Sequence, residues 1–270
     1  MKMKNIFAYI AIAAALCICA SCDTGHNRPG DEEPAYKPDS VYMIGASIAF
    51  PENTWFEMGC EELGLTPVNR AVSGTRPSDS AMRMRDGMEY TTAELDRFGV
   101  LVVMHVHDRD VCDESKLRED YRDYDLRTNM NYSQVFDYII RRYIDDCRAL
   151  ETNPESLWYG VAEGKPVRIM LCTYWHDARV VYNSSVRRLA ERWKEYASLC
   201  AFDENIGFTK ARPDADGNQV SLQFARNGYG DTEVIDGVTY GWHPTRGRNA
   251  EIQQRMARIF VDAMQEVVGR

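Results

Sequence analysis

The sequence has no excess of positive charge. Its 32 lysines and arginines are outnumbered by 41 aspartates and glutamates, so the formal net charge is −9 at pH 7. Such a surface repels the phosphate backbone of nucleic acids, and we therefore expect no nucleic-acid partner. Internal repeats and low-complexity blocks are also missing. The length suits one domain with a sizeable core.

The sequence also lacks the cysteine spacings of metal knuckles and dense disulfide frameworks. Of its eight cysteines, three lie near the N-terminus, at positions 17, 19 and 22. The other five are scattered: Cys60, Cys112, Cys147, Cys172 and Cys200. Because five is odd, they cannot all pair within one molecule. We expect these cysteines to be mostly small buried apolar residues, and their pattern allows one disulfide. No motif indicates a cofactor.

The N-terminus has the pattern of an export signal. Lys2 and Lys4 precede an apolar run, residues 6–20, that is too short for a comfortable membrane span. Cys22 follows two small residues, as in the lipobox of bacterial lipoproteins, which this segment resembles although Cys19 stands where that motif usually has leucine. The resemblance implies a signal peptide over residues 1–22 and lipidation of Cys22.

Residues 23–38 are rich in glycine, proline and acidic residues, a composition that predicts a flexible linker. The remaining residues, 39–270, are expected to form a single domain. We therefore predict an exported protein of the cell envelope, of Gram-negative type, facing the periplasm or held at the outer membrane. Its lipid would be its only contact with the membrane. The sequence leaves the oligomeric state open.

Strand and helix patterns alternate along the predicted domain. Strand patterns occur at 40–45, 67–72, 100–106, 167–174 and 201–208, and those at 100–106 and 167–174 are of the buried type. Helical patterns occur at 54–63, in parts of 79–98, and at 132–150, 184–200 and 250–268. The densely charged residues 108–130 predict a long loop, and Asp236-Gly237 predicts a tight hairpin turn. This alternation predicts a three-layer α/β/α sandwich around a mostly parallel sheet.

Polar residues follow the predicted strands, at the edge where reactive groups collect in such sheets. They form four short motifs: Gly45-Ala46-Ser47, Ser73-Gly74-Thr75, His107-Asp108 and, before the last helix, Trp242-His243-Pro244. In this order they resemble the four sequence blocks of the SGNH (GDSL-like) hydrolases. The resemblance extends over nearly all of residues 40–265.

The resemblance implies a role for one residue of each motif. Ser47 occupies the position of the nucleophile, and His243 occupies that of its general base. The backbone N–H groups of Ser47 and Gly74 would donate to the oxyanion, and the ring of His107 would replace the usual asparagine as a third donor. Asp108 would set the tautomer of His107.

Three departures from the family pattern concern the catalytic groups. Ala46 stands where the family has aspartate, and His105 and His107 stand where it has glycine and asparagine. Tyr240 takes the place of the aspartate three residues before the histidine. The group that orients His243 is thus open between a backbone carbonyl and a displaced carboxylate, such as Asp236 or Asp231.

Each candidate also has a plainer explanation. Ser47 alone is typical of a strand end, and His243 alone fits a helix cap or packing beside Trp242. A metal site is a further alternative, because His105 and His107 alternate on a strand; its other ligands would be Asp108, Asp110, His176 and Asp177. The aromatic residues that could stack on a sugar ring are Trp175, Tyr240 and Trp242.

The resemblance and the predicted export together indicate an esterase that deacetylates an O-acetylated carbohydrate through a Ser-His acyl-enzyme. This inference is by analogy with the family. One alternative is a glycan-binding or accessory lipoprotein that kept the scaffold after its active site degenerated. A metal-dependent hydrolase built on the His105 and His107 pair is a third hypothesis.

Overall fold

A parallel sheet of five strands, in the order β2-β1-β3-β4-β5, forms the centre of the fold. The computed structural model describes residues 39–105, 111–127, 131–175, 180–207, 228–235 and 237–268, which all belong to one compact unit. The sheet strands are β1 (Ser40–Gly45), β2 (Thr66–Asn69), β3 (Phe98–Met104), β4 (Ile169–Cys172) and β5 (Ala197–Cys200).

The three central strands are buried along their whole length. Since successive side chains of a strand point to opposite faces, both faces of the sheet must be covered. Continuous apolar sequences such as Val100–Met104 are typical of strands in this position.

Helices cover the sheet in two groups. The α-helices are α1 (Trp55–Glu62), α2 (Pro77–Arg85), α3 (Thr92–Leu95), α4 (Tyr132–Ala149), α5 (Val180–Arg192), α6 (Phe202–Asn205) and α7 (Glu251–Val268). Helix α1 packs against α7, whereas α4 packs against both α2 and α5. The predicted α/β sandwich with a parallel sheet is confirmed. Within the residues described, no helix has the length and apolarity needed to span a bilayer.

The prediction was wrong around the last strand of the sheet. A helix was expected over 184–200 and a strand over 201–208, but α5 ends at Arg192, and β5 already occupies Ala197–Cys200. Residue 202 then begins the short helix α6. The reason is pairing at long range: β5 lies in register with β4, from Ile169 opposite Ala197 to Cys172 opposite Cys200. Local periodicity does not contain that information.

The described residues 111–127 of the charged segment predicted as a loop contain two short 3-10 turns, Glu114–Lys116 and Tyr121–Asp123, and an isolated β-bridge from Val111 to Asn131. The segment is attached to α4 by a buried carboxylate. The hydroxyl of Tyr124 donates to Asp137 at 2.8 Å, and the Trp193 indole N–H donates to the other oxygen of Asp137, also at 2.8 Å.

Four cysteines of the domain, Cys60, Cys147, Cys172 and Cys200, are buried free thiols. The predicted packing role is therefore confirmed for these four, while Cys112 is only half-buried. Burial raises the pKa of the Cys147 thiol to about 11. Cys172 and Cys200 lie opposite each other on β4 and β5, and burial together with this neighbour raises the pKa of Cys200.

Lys165 is a buried cation beneath the start of β3. Its ammonium group donates to the carbonyls of Leu95 and Phe98, both at 2.7 Å, and to the Tyr143 hydroxyl at 3.2 Å. Burial lowers the pKa of Lys165. The three bonds use all the donors of the ammonium group, so its burial leaves no proton without an acceptor.

We expect Lys165→Met to lower the free energy of unfolding by about 2 kcal/mol, because two buried carbonyls lose their donor. Chemical denaturation of the purified protein measures this change. The matched control is Lys194→Met, since Lys194 is exposed and pairs with Glu191 on the surface. Equal free energies of unfolding for the two variants would contradict a stabilising role of the Lys165 hydrogen bonds.

Candidate active site

Ser47 lies directly after β1, in a short 3-10 turn formed by Ser47–Ala49. The turn passes so close to β3 that the Ala46 N–H donates to the carbonyl of Met104 at 3.3 Å. A Cβ atom on Gly45 would lie only 2.8 Å from that carbonyl oxygen. Glycine is therefore required at position 45, and its small size lets the chain bring Ser47 to the carboxyl edge of the sheet.

Two side chains fix the carbonyls of this serine turn. The indole N–H of Trp55 donates to Ile48 at 3.1 Å, and the amide of Asn69 donates to Ala49 at 2.7 Å. Sequence reasoning missed both residues. The available signal for Asn69 was a polar side chain within the predicted strand 67–72, and the observed strand β2 ends at this residue.

His243 belongs to a separate sheet of two antiparallel strands, β6 (Gly230–Ile235) and β7 (Val238–Pro244). Ile235 pairs with Val238, so two residues connect the strands, and Gly237 has a φ of +80°. The predicted tight turn is confirmed by this pairing, although Asp236 itself lies outside the described residues.

The hairpin has an irregular register beside His243. Gly230 pairs with Pro244, and Thr232 pairs with Gly241. Between these pairs, β6 has one residue, Asp231, whereas β7 has two, Trp242 and His243. This is the arrangement of a β-bulge, which changes the direction of side chains on the bulged strand.

The bulge brings Asp231 and His243 together, and His243 contacts Ser47. Nε2 of His243 lies 2.9 Å from Oγ of Ser47, and Nδ1 lies 3.0 Å from Oδ2 of Asp231. The backbone N–H of His243 donates to Oδ1 of the same carboxylate at 2.6 Å. Because an ionised carboxylate only accepts, Nδ1 carries the proton of the neutral ring, and Nε2 is left to accept from the serine hydroxyl.

The group that accepts from Nδ1 of His243 is thus Asp231, one of the alternatives that the sequence left open. It precedes the histidine by 12 residues rather than three. Tyr240, which precedes His243 by three residues, instead pairs with Glu233 across the hairpin.

Gly74 lies in the loop after β2, with a φ of +78°. This loop is bonded to the carbonyl of Gly45, close to the serine turn. The Val72 N–H donates to that oxygen at 3.1 Å, and the Thr75 hydroxyl does so at 3.3 Å. The structure therefore brings the loop carrying Gly74 to the residue two positions before Ser47.

The third motif, His107-Asp108, lies outside the described residues, as do Asp110, His176 and Asp177. His105 is fully buried, and its Nε2 lies 3.1 Å from the Ser80 hydroxyl. Burial lowers the pKa of His105 to about 3, so the ring is neutral. In the part of the chain that the structure covers, no three histidine, cysteine or acidic side chains form a group suited to a metal.

The aromatic residues near the site differ in exposure. Trp175 is buried and stacks on Tyr174, with ring centroids 5.3 Å apart. The suggestion that Trp175 stacks on a sugar ring was therefore wrong. Trp242 and Tyr240 are half-buried, and the Trp242 ring lies edge-on to that of His243 at 6.1 Å.

A buried amide joins the serine and histidine loops. Oε1 of Gln253 accepts from the Trp55 backbone N–H at 2.9 Å, and its Nε2 donates to the carbonyl of Thr245 at 3.0 Å. Trp55 is the residue whose indole fixes the serine turn, and Thr245 lies two residues after His243. Sequence reasoning missed Gln253, which carries no signal beyond its place on an amphipathic helix.

The arrangement can activate a hydroxyl. His243 can take the proton of Ser47, and Asp231 can stabilise the resulting imidazolium. The site is open, because the side chains of His243 and Asp231 are 34% and 60% exposed. Ser47 itself is half-buried, so part of this residue faces solvent.

A family model described as Domain of unknown function (DUF5040) matches residues 38–268. No curated protein matches the sequence.

Solved structures similar to the chain include three with low sequence identity. TesA is 15% identical with a TM-score of 0.44, covering 84% of this chain and 99% of TesA. A protein of the G-D-S-L family from Desulfitobacterium hafniense is 14% identical with a TM-score of 0.44, covering 83% and 99%. A carbohydrate esterase family 2 enzyme with a carbohydrate-binding domain, from Corynascus thermopiles (Myceliophthora fergusii), is 12% identical with a TM-score of 0.46, covering 87% and 68%.

We expect a fluorophosphonate probe to label Ser47, and Asp231→Asn to slow this labelling at least about tenfold, because the ring loses the carboxylate that stabilises its charged form. Mass spectrometry of the labelled peptide measures the rate. Glu233→Gln removes the same charge two residues along β6 and serves as the control. An equal loss of rate in both variants would point to general electrostatics instead of the Asp231 contact.

Proposed function

This chain belongs to the family described as Domain of unknown function (DUF5040), and we propose that it is an ester hydrolase in which Ser47, His243 and Asp231 act together. The observation that supports this proposal is the continuous line of hydrogen bonds from Ser47 through His243 to Asp231. It contains a nucleophile, a base and an orienting acid, each within bonding distance of the next.

The proposed reaction has two stages. In the first, the Ser47 oxygen attacks the ester carbonyl while its proton passes to Nε2 of His243. The imidazolium then protonates the leaving alcohol, and an acyl-enzyme remains on Ser47. In the second, His243 takes a proton from water, and the resulting hydroxide attacks the acyl group. The bond between the acyl group and Oγ of Ser47 then breaks, the imidazolium returns the proton to Oγ, and the acid is released.

Three donors are proposed for the oxyanion: the N–H groups of Ser47 and Gly74 and the ring of His107. The bonds from Val72 and Thr75 to Gly45 support the second donor, because they hold the Gly74 loop beside the serine turn. Each such donor is typically worth a hundredfold or more in rate.

For the substrate we propose an O-acetylated carbohydrate. The half-buried Trp242 supports this class, since its ring lies beside His243 and an indole face is a suitable surface for a sugar ring. The open site also suits an ester carried on a large molecule. The glycan-binding protein without catalysis remains the competing function, and it differs in releasing no acid.

The decisive variant for the proposed function is Ser47→Ala. We expect the purified protein to release acetate from an acetylated xylan or from p-nitrophenyl acetate, and the variant to lose at least about 99.9% of this rate, because no other hydroxyl takes the place of the nucleophile. Acetate release measured with a coupled assay tests this expectation.

Ser115→Ala is the control, because Ser115 is an exposed serine outside the site. Turnover that survives in the Ser47 variant would refute the acyl-enzyme. Retention of the glycan by a protein that releases no acetate would favour the binding function.

We further propose that the protein is exported and attached to the cell envelope by a lipid on Cys22. In cells that express the full chain, labelled palmitate should enter the protein, and Cys22→Ser should abolish this labelling, because the acceptor thiol is gone. Cys17→Ser is the control, since it removes a thiol five residues away and leaves residues 19–22 of the lipobox-like motif unchanged. Equal labelling of both variants would contradict lipidation at Cys22.

A further inference from the structure

The hairpin that carries His243 is a sheet of its own, so its position relative to Ser47 depends on side-chain contacts. One such contact comes from Tyr174, whose hydroxyl donates to the main-chain carbonyl of Trp242 at 2.8 Å. Trp242 is the residue immediately before His243. The rings of Tyr174 and Trp242 also meet edge to face, with centroids 6.1 Å apart.

Tyr174 is itself held firmly at the carboxyl end of β4. Its side chain is buried, and the amide of Asn183 binds both its backbone groups. The Tyr174 N–H donates to Oδ1 of Asn183 at 2.8 Å, and Nδ2 of Asn183 donates to the Tyr174 carbonyl at 2.7 Å. The amide thus replaces a neighbouring strand at the point where β4 has ended.

A second residue, Asp203, fixes Asn183. Its carboxylate accepts from Nδ2 of Asn183 at 3.1 Å, from the Thr173 hydroxyl at 2.8 Å and from Arg187 at 2.6 Å. Asn183 and Arg187 lie on α5, Asp203 lies on α6, and Thr173 follows β4. The network therefore connects α5, α6 and the segment after β4, and it holds the main chain of Tyr174 against α5.

We propose that Tyr174 is a positioning residue for the reaction proposed above. Its hydroxyl fixes the main chain at Trp242, and through it the distance and direction of the His243 ring relative to Ser47. This inference rests on the proposed function. In this role Tyr174 acts through the backbone of the hairpin and not by direct contact with the serine or the imidazole.

The test is Tyr174→Phe, which removes one hydroxyl and keeps the ring that packs on Trp175 and Trp242. We expect kcat for acetyl-ester hydrolysis to fall about tenfold, because small displacements of a catalytic base are costly. KM should stay within about twofold, since the buried ring does not reach the substrate. Steady-state kinetics separate the two parameters.

Tyr121→Phe is the matched control. Tyr121 lies in the charged segment, and its hydroxyl donates to Asp145 on α4 at 2.6 Å. Because the Tyr121 side chain is largely buried, this variant also removes a hydroxyl from a buried tyrosine. Both variants should lose a similar amount of stability. Only Tyr174→Phe should lower kcat, and an equal loss of kcat in both would overturn the positioning role.

Hydrogen exchange measured by mass spectrometry tests the same inference without any reaction. In Tyr174→Phe, amides of residues 237–245 should exchange faster than in the parent protein, whereas Tyr121→Phe should leave them unchanged. Unchanged exchange in this segment together with unchanged kcat would refute the inference.

The outcomes distinguish the two proposals. A parent protein that hydrolyses no ester and takes up no fluorophosphonate on Ser47 would refute the proposed function. Faster exchange in Tyr174→Phe would in that case still show that the Tyr174 hydroxyl fixes the hairpin. An active parent with an unaffected Tyr174→Phe variant would keep the proposed function and remove Tyr174 from it.

Discussion

The hydrogen bond between Ser47 and His243 joins two parts of the chain that are 196 residues apart. A bond of this kind contributes only about 1 kcal/mol net, which is too little to position two loops. The positioning comes from the groups behind it: Gly45 beside β3, the Trp55 and Asn69 bonds to the serine turn, and the Gln253 amide between both loops. The site is therefore a consequence of how the loops are packed.

The central strands were predictable because their burial on both faces leaves a continuous apolar sequence, as in β1 and β3. Strand β5 was not, because its four residues carry no local signal and form a strand only through their register with β4. The end of the preceding helix was misplaced for the same reason. Sequence pattern thus located the core of the sheet and failed at the edge formed by β5, where pairing decides the structure.

Ser47 and His243 were selected as candidates from the order of four short motifs, and the structure brings them into contact. Asp231 was one of several alternatives, because its place depends on an extra residue in β7 that puts two residues opposite it. A bulge of this kind leaves no mark in the sequence. The residues behind the loops, such as Asn183 and Gln253, were missed because buried amides have no periodic signature and their bonds are formed at long range.

Asp231 is 60% exposed, so water and salt weaken the field of its charge at the imidazole. Its influence on His243 must then come mainly from direct hydrogen bonds. The same carboxylate accepts from the ring and from the backbone N–H of His243, and these two bonds fix the rotation of the ring relative to its own main chain. Once that rotation is fixed, the remaining freedom of the imidazole is the movement of the hairpin as a whole, which is the movement that the Tyr174 hydroxyl opposes.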